Sequence, residues 1–337
     1  MKQIPENHEL LETRDLKKYY PVTAGLFSQH IGDIKAVDGV SLSIKGCEIL
    51  GLVGESGCGK STLGRTILRL EEPTSGKILY RGTDITMLDK RGLRELRREI
   101  QIIFQDPDAS LDPRMTVGDS ICEPLIIHNI ADEKGRTEMV AKLMEQVGLK
   151  AEQVSHYPHE FSGGQKQRIG IARALAINPR LIIADEPVSA LDVSVQAQIL
   201  NLMMDIQEEF GLAYLFIAHD LSVIKHMAHR VAVMYLGKIV ELASKRDLFE
   251  NPLHPYTEAL LSAVPSLKSK NKDRILLQGD VPSPLNPPPG CHFYPRCHRV
   301  LPSCSQKEPE LVEISQDHYV ACHLYSKGNY PSNSLTI

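Results

Sequence analysis

Three short segments of the chain hold residue types able to bind a polyphosphate and activate water. The first is Gly54-Glu55-Ser56-Gly57-Cys58-Gly59-Lys60-Ser61-Thr62, between the apolar run Ile49-Leu50-Gly51-Leu52-Val53 and a helical pattern of Leu63, Ile67 and Leu70. Glycines there let backbone N–H groups converge on phosphate oxygens, and a helix start adds favourable potential. In this strand–loop–helix setting Lys60 reaches the β- and γ-phosphates and the Ser61 hydroxyl ligates Mg²⁺. The second segment is Asp185-Glu186, ending the apolar run Leu181-Ile182-Ile183-Ala184. Asp185 is placed to orient Mg²⁺ and its water, and Glu186 to polarise an attacking water as general base. The third is Phe161-Ser162-Gly163-Gly164-Gln165-Lys166-Gln167-Arg168, where a hydroxyl and free amides lead a helix and again face an anion.

A fourth group is made of thiols. Of seven cysteines, Cys47, Cys58 and Cys122 are scattered and read as buried or incidental, whereas Cys291, Cys297, Cys304 and Cys322 crowd into the last fifth. In a reducing compartment such a cluster reads as a metal or iron–sulfur site rather than as disulfides. Four thiolates suit tetrahedral Zn²⁺ or a [4Fe–4S] cluster. The paired C-x₂-C knuckles common in zinc ribbons are absent, and four unligated thiols in a proline-stiffened subdomain is the remaining alternative. His292, His298 and His323 adjoin these positions as supporting or surface groups.

The elements that must position these residues follow from pattern. Continuous apolar runs at Ile49–Val53, 102–104, 181–184 and Ala213–Ala218 read as strands covered on both faces, so a largely parallel sheet flanked by helices is expected. The stretch 36–44 alternates instead, as an antiparallel strand with one wet face does. Val231 to Tyr235 and Lys238 to Leu242 flank Leu236-Gly237 as a hairpin. Between Asp106 and Pro179 the pattern turns helical, with one helix from Met139 to Val147 and another from Gln165 to Ile177. From about Asn251 prolines become dense, and Val281-Pro282-Ser283-Pro284-Leu285-Asn286-Pro287-Pro288-Pro289-Gly290 reads as a stiff connection into the cysteines.

Bulk properties narrow the partners. At 337 residues there is room for about two domains, and a net charge of −4 gives no reason to expect nucleic acid. No apolar run approaches the roughly 18 residues that cross a bilayer. The start, Met1 to Glu9, lacks a secretory signal's basic and apolar regions, so a cytosolic chain that meets a membrane through partner proteins is expected.

With the third segment set about twenty residues before Asp185-Glu186, the chain resembles ATP-binding-cassette (ABC) ATPases, which hydrolyse ATP as head-to-tail dimers. Phe161 stands where leucine is commoner, a hydrophobic exchange that leaves phosphate contact unaffected. The resemblance implies that Ser162, Gly163, Gly164 and Gln165 meet the γ-phosphate bound on the other protomer. It also implies that His219, after the strand ending at Ala218, contacts the γ-phosphate and holds the water. Gln105 matches the glutamine that senses γ-phosphate or Mg²⁺ and joins the core to a helical subdomain. Asp192, in Ser189-Ala190-Leu191-Asp192, matches the loop that crosses the dimer interface. Tyr20 resembles the aromatic that stacks on adenine, with Tyr19 as the alternative.

Further segments narrow the resemblance to nucleotide-binding subunits of bacterial dipeptide and oligopeptide importers, most like the second, F-type subunit. They are Lys17-Lys18-Tyr19-Tyr20-Pro21-Val22, Gly64-Arg65-Thr66, Asn251-Pro252-Leu253-His254-Pro255-Tyr256-Thr257 and Ala259-Leu260-Leu261-Ser262-Ala263-Val264-Pro265. The fold class implied is α/β: a P-loop ABC core with mostly parallel sheet, an antiparallel β subdomain, an inserted α-helical subdomain and a small cysteine-containing extension. The nucleotide-binding domain is expected over 1–250, with the helical subdomain at about 106–180, and the extension over 251–337. The implied cofactors are ATP, Mg²⁺ and, by analogy with importer ATPases of this tail, a [4Fe–4S] cluster, with Zn²⁺ as the alternative. The implied partners are a second, homologous ATPase subunit in a heterodimer, two transmembrane permeases and an extracytoplasmic solute-binding protein. Attachment to permeases implies the cytoplasmic face of the inner membrane, with 106–113 and the helices after it as docking surface. Import of nickel or another small solute, and a non-transport ABC ATPase, are the alternatives.

Overall fold

The computed structural model describes residues 8–24, 29–263 and 275–325. Met1 to Asn7, and Val264 and Pro265 of the 259–265 motif, lie outside the described residues. An antiparallel sheet comes first, from β1 (Glu9–Ala24), β2 (Gln29–Lys45), β4 (Ser75–Tyr80) and β5 (Thr83–Asp84), in the order β2-β1-β4-β5. The alternation read over 36–44 is real: Val40, Leu42 and Ile44 are buried while Gly39 and Ser41 face solvent. The long partner β1 was not foreseen, because its lysines and tyrosines break the alternation with register shifts along the ladder.

The main sheet holds β3 (Ile49–Val53), β6 (Ile100–Ile103), β7 (Leu181–Asp185), β8 (Ala213–Ala218), β9 (Arg230–Tyr235) and β10 (Lys238–Ser244). β6, β7, β8, β3 and β9 run parallel in that spatial order. Successive residues of one strand enter different cores. Ile182, Tyr214 and Phe216 pack with Ile199, Met203 and Ile206 of α7 (Val193–Phe210). Ile183, Leu215 and Ile217 pack on the opposite face with Leu63 and Ile67 of α1 (Lys60–Ile67) and with Leu42 and Ile44 of β2. Burial on both faces is why these strands read as unbroken apolar runs. α8 (Leu221–Met227) also joins the first core through Ile224. The β9–β10 hairpin turns through Leu236 and Gly237 with φ of 41° and 80°, the left-handed pair that matches strand twist.

α2 (Lys90–Glu99) precedes β6. Between β6 and β7 the regular elements are all helical: α3 (Pro107–Ser110), α4 (Val117–Ile127), α5 (Glu133–Gln146) and α6 (Gly163–Leu175), with short 3-10 turns before α6. Helix ends differ from the sequence reading for local reasons. α5 starts six residues before Met139 because Asp132 caps it, and its charged first turn hides the apolar period. α6 starts at Gly163, where Ser162 and Gln165 form a reciprocal capping box, and ends at Leu175.

After α9 (Lys245–Glu250) and α10 (Pro255–Ser262) the tail returns to the main sheet. β12 (His318–Val320) pairs antiparallel with β10, and β11 (Val312–Ser315) pairs with β12. The fully buried Glu241 of β10 anchors this return. Its carboxylate meets His318 Nε2 at 2.8 Å and accepts the N–H groups of Leu253 and His254 at 2.8 and 2.9 Å. Each hydrogen bond removes a desolvation cost that an unpaired buried carboxylate would impose.

Candidate active site

The P-loop runs from the end of β3 into α1. Gly57 and Gly59 take left-handed φ values of 77° and 105°, and a Cβ at Gly59 would lie 1.9 Å from the Ala36 carbonyl oxygen. Only glycine fits that approach. The hairpin tip braces the loop, since Gly237 N–H donates to the Cys58 carbonyl at 2.9 Å. Lys60, almost fully buried, donates through Nζ to the carbonyls of Gly54 and Glu55 at 2.8 and 3.0 Å, so its ammonium lies across the loop. Above it is a cavity of about 250 Å³, walled by Ser56 to Thr62 and, opposite, by Gln105 and Glu186.

Ser61 Oγ donates to Asp185 Oδ1 at 2.7 Å, joining the loop to the end of β7. Burial pushes the Asp185 carboxyl above its usual range, partly offset by the Ser61 hydroxyl and by Arg65, whose Nη2 is 4.0 Å from Oδ2. A hydroxyl beside a carboxylate is a donor set that suits a small hard cation such as Mg²⁺. A bound cation would also relieve the cost of keeping Asp185 ionised.

One residue on, Glu186 has φ of 47°, an uncommon left-handed position for a residue with a side chain. That turn swings its carboxylate toward the cavity wall. Oε2 is met by Gln105 Nε2 and by His219 Nδ1, each at 3.2 Å. Gln105 also donates to Ser189 Oγ at 3.4 Å. Residues from the ends of β6, β7 and β8 thus converge on a single carboxylate oxygen beside the P-loop cavity. The arrangement can hold a water near a base and a phosphate near an ammonium.

The glycine-rich start of α6 is elsewhere. Ser162 and Gly163 are exposed and do not line this cavity. Ser162 N–H donates to Gln165 Oε1 at 2.9 Å, and the Gln165 N–H to Ser162 Oγ at 3.4 Å. Gly164 packs so tightly on Val195 that a Cβ there would be 2.4 Å from Cγ1. Val195 N–H is in turn capped by Asp192 at 3.0 Å. The starts of α6 and α7 therefore form one exposed face, on which Ser162, Gly163 and Asp192 stand together.

Tyr20 is half-buried on β1, hydrogen-bonded through its hydroxyl to Glu71 and under the Lys18 ammonium. Tyr19 bonds Asp38. Neither ring lines the cavity, whose outer wall is Ile34, Lys35 and Pro284.

The four clustered cysteines are free thiols, and among the described residues no three His, Cys, Asp or Glu side chains are set to hold a metal ion. They are nonetheless neighbours. Burial pushes Cys291 up to about 11 and Cys322 up to about 12, with the other thiols adding to the rise. Two of the sulfurs accept a backbone amide, Cys297 from Arg299 and Cys304 from Leu301, both at 3.4 Å. His292 bonds the Leu236 carbonyl at 3.1 Å and His323 the Lys307 carbonyl at 2.7 Å. His298 is 3.5 Å from Glu258.

Sequence reasoning missed two contacts to the P-loop. Arg296 pairs with Glu55, and the Tyr256 hydroxyl accepts the Glu55 N–H at 2.8 Å. Both come from beyond residue 250: Tyr256 lies in the 251–257 segment, which does not by itself point to the P-loop, and no local pattern marks Arg296.

Comparison with known proteins bears on this geometry. A family profile described as "ABC transporter" matches residues 37–189, and one described as "Oligopeptide/dipeptide transporter, C-terminal region" matches 240–304. The oligopeptide transport ATP-binding protein AppF of Bacillus subtilis (strain 168) is 57% identical over 321 residues, covering 94% of this chain and 98% of that protein. The dipeptide transport ATP-binding protein DppF of Escherichia coli (strain K12) is 51% identical over 323 residues, 96% of each. Among solved structures, the dimeric ATP-binding cassette MJ0796, in a post-hydrolysis state bound to ADP and Pi, aligns with a TM-score of 0.63 at 30% identity, covering 70% of this chain and 99% of that one. The cbiO1 protein of Clostridium perfringens, part of the ABC transporter complex cbiONQ, aligns at 0.62 and 27% identity, covering 73% and 92%.

Proposed function

This chain belongs to the family of ABC transporter ATP-binding subunits, and on that premise we propose that it is the energy-coupling ATPase of a membrane importer for dipeptides and oligopeptides. Full-length similarity to AppF and DppF supports the cargo class. The observation that carries the mechanism is the meeting of Gln105 and His219 on Glu186 Oε2, beside a P-loop whose α6 counterpart faces outward. P-loop amides and Lys60 bind the β- and γ-phosphates of ATP. Ser61 and Asp185, with Gln105 nearby, hold Mg²⁺, which when bound neutralises phosphate charge. Glu186 takes the proton of the attacking water, while Gln105 and His219 fix the carboxylate. The outward start of α6 completes the site of a second, homologous ATPase subunit, and that subunit's equivalent completes this one. Closure on ATP and reopening after hydrolysis then drive alternating access in two permeases fed by a solute-binding protein.

A groove of about 640 Å³ between α2, β6, α4 and α6 supports docking to a permease. Ile102, Phe104 and Ile127 line it with Arg94, Arg97 and Arg173, which suits an amphipathic segment bearing acidic residues. Among the described residues no helix is long and apolar enough to cross a membrane, so attachment to the inner membrane's cytoplasmic face runs through such docking.

Cys291, Cys297, Cys304 and Cys322 are read as ligands of a [4Fe–4S] cluster, with Zn²⁺ as the alternative. Four neighbouring thiols, with a backbone amide on the sulfurs of Cys297 and Cys304, support the donor chemistry, since such hydrogen bonds stabilise thiolate charge. Anaerobic purification should yield iron and acid-labile sulfide; a colourless protein with stoichiometric zinc contradicts the cluster. For the importer itself, deletion of the chain should abolish growth on dipeptides as the amino-acid source. Unimpaired growth, with nickel uptake lost instead, contradicts the peptide cargo.

A further inference from the structure

Glu55, the second residue of the P-loop, is fastened by groups from the far end of the chain. Arg296 grips its carboxylate with both prongs of the guanidinium, Nη1 to Oε2 at 2.7 Å and Nη2 to Oε1 at 3.0 Å. The Arg296 side chain is only 7% exposed, so this fork works largely out of water, where paired charged hydrogen bonds are strong and directional. The Tyr256 hydroxyl holds the Glu55 N–H. An aromatic wedge sets both groups: Tyr235, Tyr256 and Phe293 pack with centroids 4.7, 5.2 and 5.3 Å apart, and Arg296 Nη1 also reaches the Tyr235 hydroxyl at 3.4 Å. Arg296 ends the short turn Tyr294–Arg296, between Cys291 and Cys297.

Two consequences follow for phosphate binding. The Glu55 carbonyl is one of the two that hold Lys60, so a shift of Glu55 moves both the loop amides and the ammonium. An acid in the P-loop also opposes a polyphosphate unless its charge is cancelled nearby. We propose that Arg296 is a positioning residue for ATP, which sets the P-loop through Glu55 and neutralises it, so that nucleotide affinity depends on the cysteine-bearing segment. This rests on the nucleotide reading above.

The test is calorimetric titration of the full chain with MgATP and with MgADP. Arg296→Gln should weaken both nucleotides about ten-fold. Arg296→Lys, which keeps the charge but loses the fork, should weaken them about three-fold. The deciding arm is Glu55→Gln, because it removes the charge that Arg296 answers. In that background Arg296→Gln should cost less than about two-fold, a coupling that a merely structural arginine does not produce. Wild-type affinity in Arg296→Gln, or an undiminished loss in the Glu55→Gln background, overturns the proposal. Failure of the wild-type chain to bind MgATP would instead overturn the nucleotide reading.

Discussion

Glu186 illustrates how little separates a base from an inert carboxylate. Its left-handed backbone and two side-chain donors aim one oxygen at the cavity wall. Glu186→Gln keeps the shape and the hydrogen-bond reach but removes the proton acceptor. Turnover should fall about 10²- to 10³-fold with ATP affinity little changed, in line with a lost general base. Steady-state and binding measurements on one preparation check both halves, and a wild-type rate removes Glu186 from the role. Gly59→Ala should be worse than inactive: a methyl 1.9 Å from the Ala36 oxygen must displace backbone, costing about 2 kcal/mol or more and detectable by urea unfolding. Residues of this kind were legible because their chemistry demands fixed local spacing. Arg296 was not, since it meets Glu55 from 241 residues away and a lone arginine before a cysteine carries no pattern.

At the scale of elements, continuous burial made β3, β7 and β8 readable, whereas β11 is half exposed and β12 is only three residues long, and both were passed over. Helix starts were misplaced where capping, not apolar period, sets them, as at Asp132 and Ser162. The start of α10 gives a pH prediction. His254 caps it, accepting the Tyr256 N–H on Nδ1, and burial holds its imidazole down to about 4. An unfolded chain takes up that proton below pH about 6.5 while the folded one resists it until about 4, so stability is lost as pH falls through this window. The loss should reach about 3 kcal/mol for this residue. His254→Asn, which keeps an acceptor but cannot titrate, should flatten the difference between urea midpoints at pH 7 and pH 5. An equal drop in both proteins contradicts the assignment.

For the whole molecule, the tail packs back on the core: β12 pairs with β10, and Arg296 grips the P-loop. The P-loop and Glu186 share one cavity, whereas Ser162, Gly163 and Asp192 are exposed and line no part of it. Ser162→Arg should therefore leave this chain's own MgATP affinity within about two-fold while disabling hydrolysis in a partner's site, a separation a single-chain enzyme cannot show. The most direct measurement is ATPase activity of this chain titrated with the second ATPase subunit. A site shared between polypeptides predicts low activity alone, a rise on addition of the partner, and saturation at equal stoichiometry. Full activity of the lone chain, constant on dilution and unchanged by the partner, would contradict it.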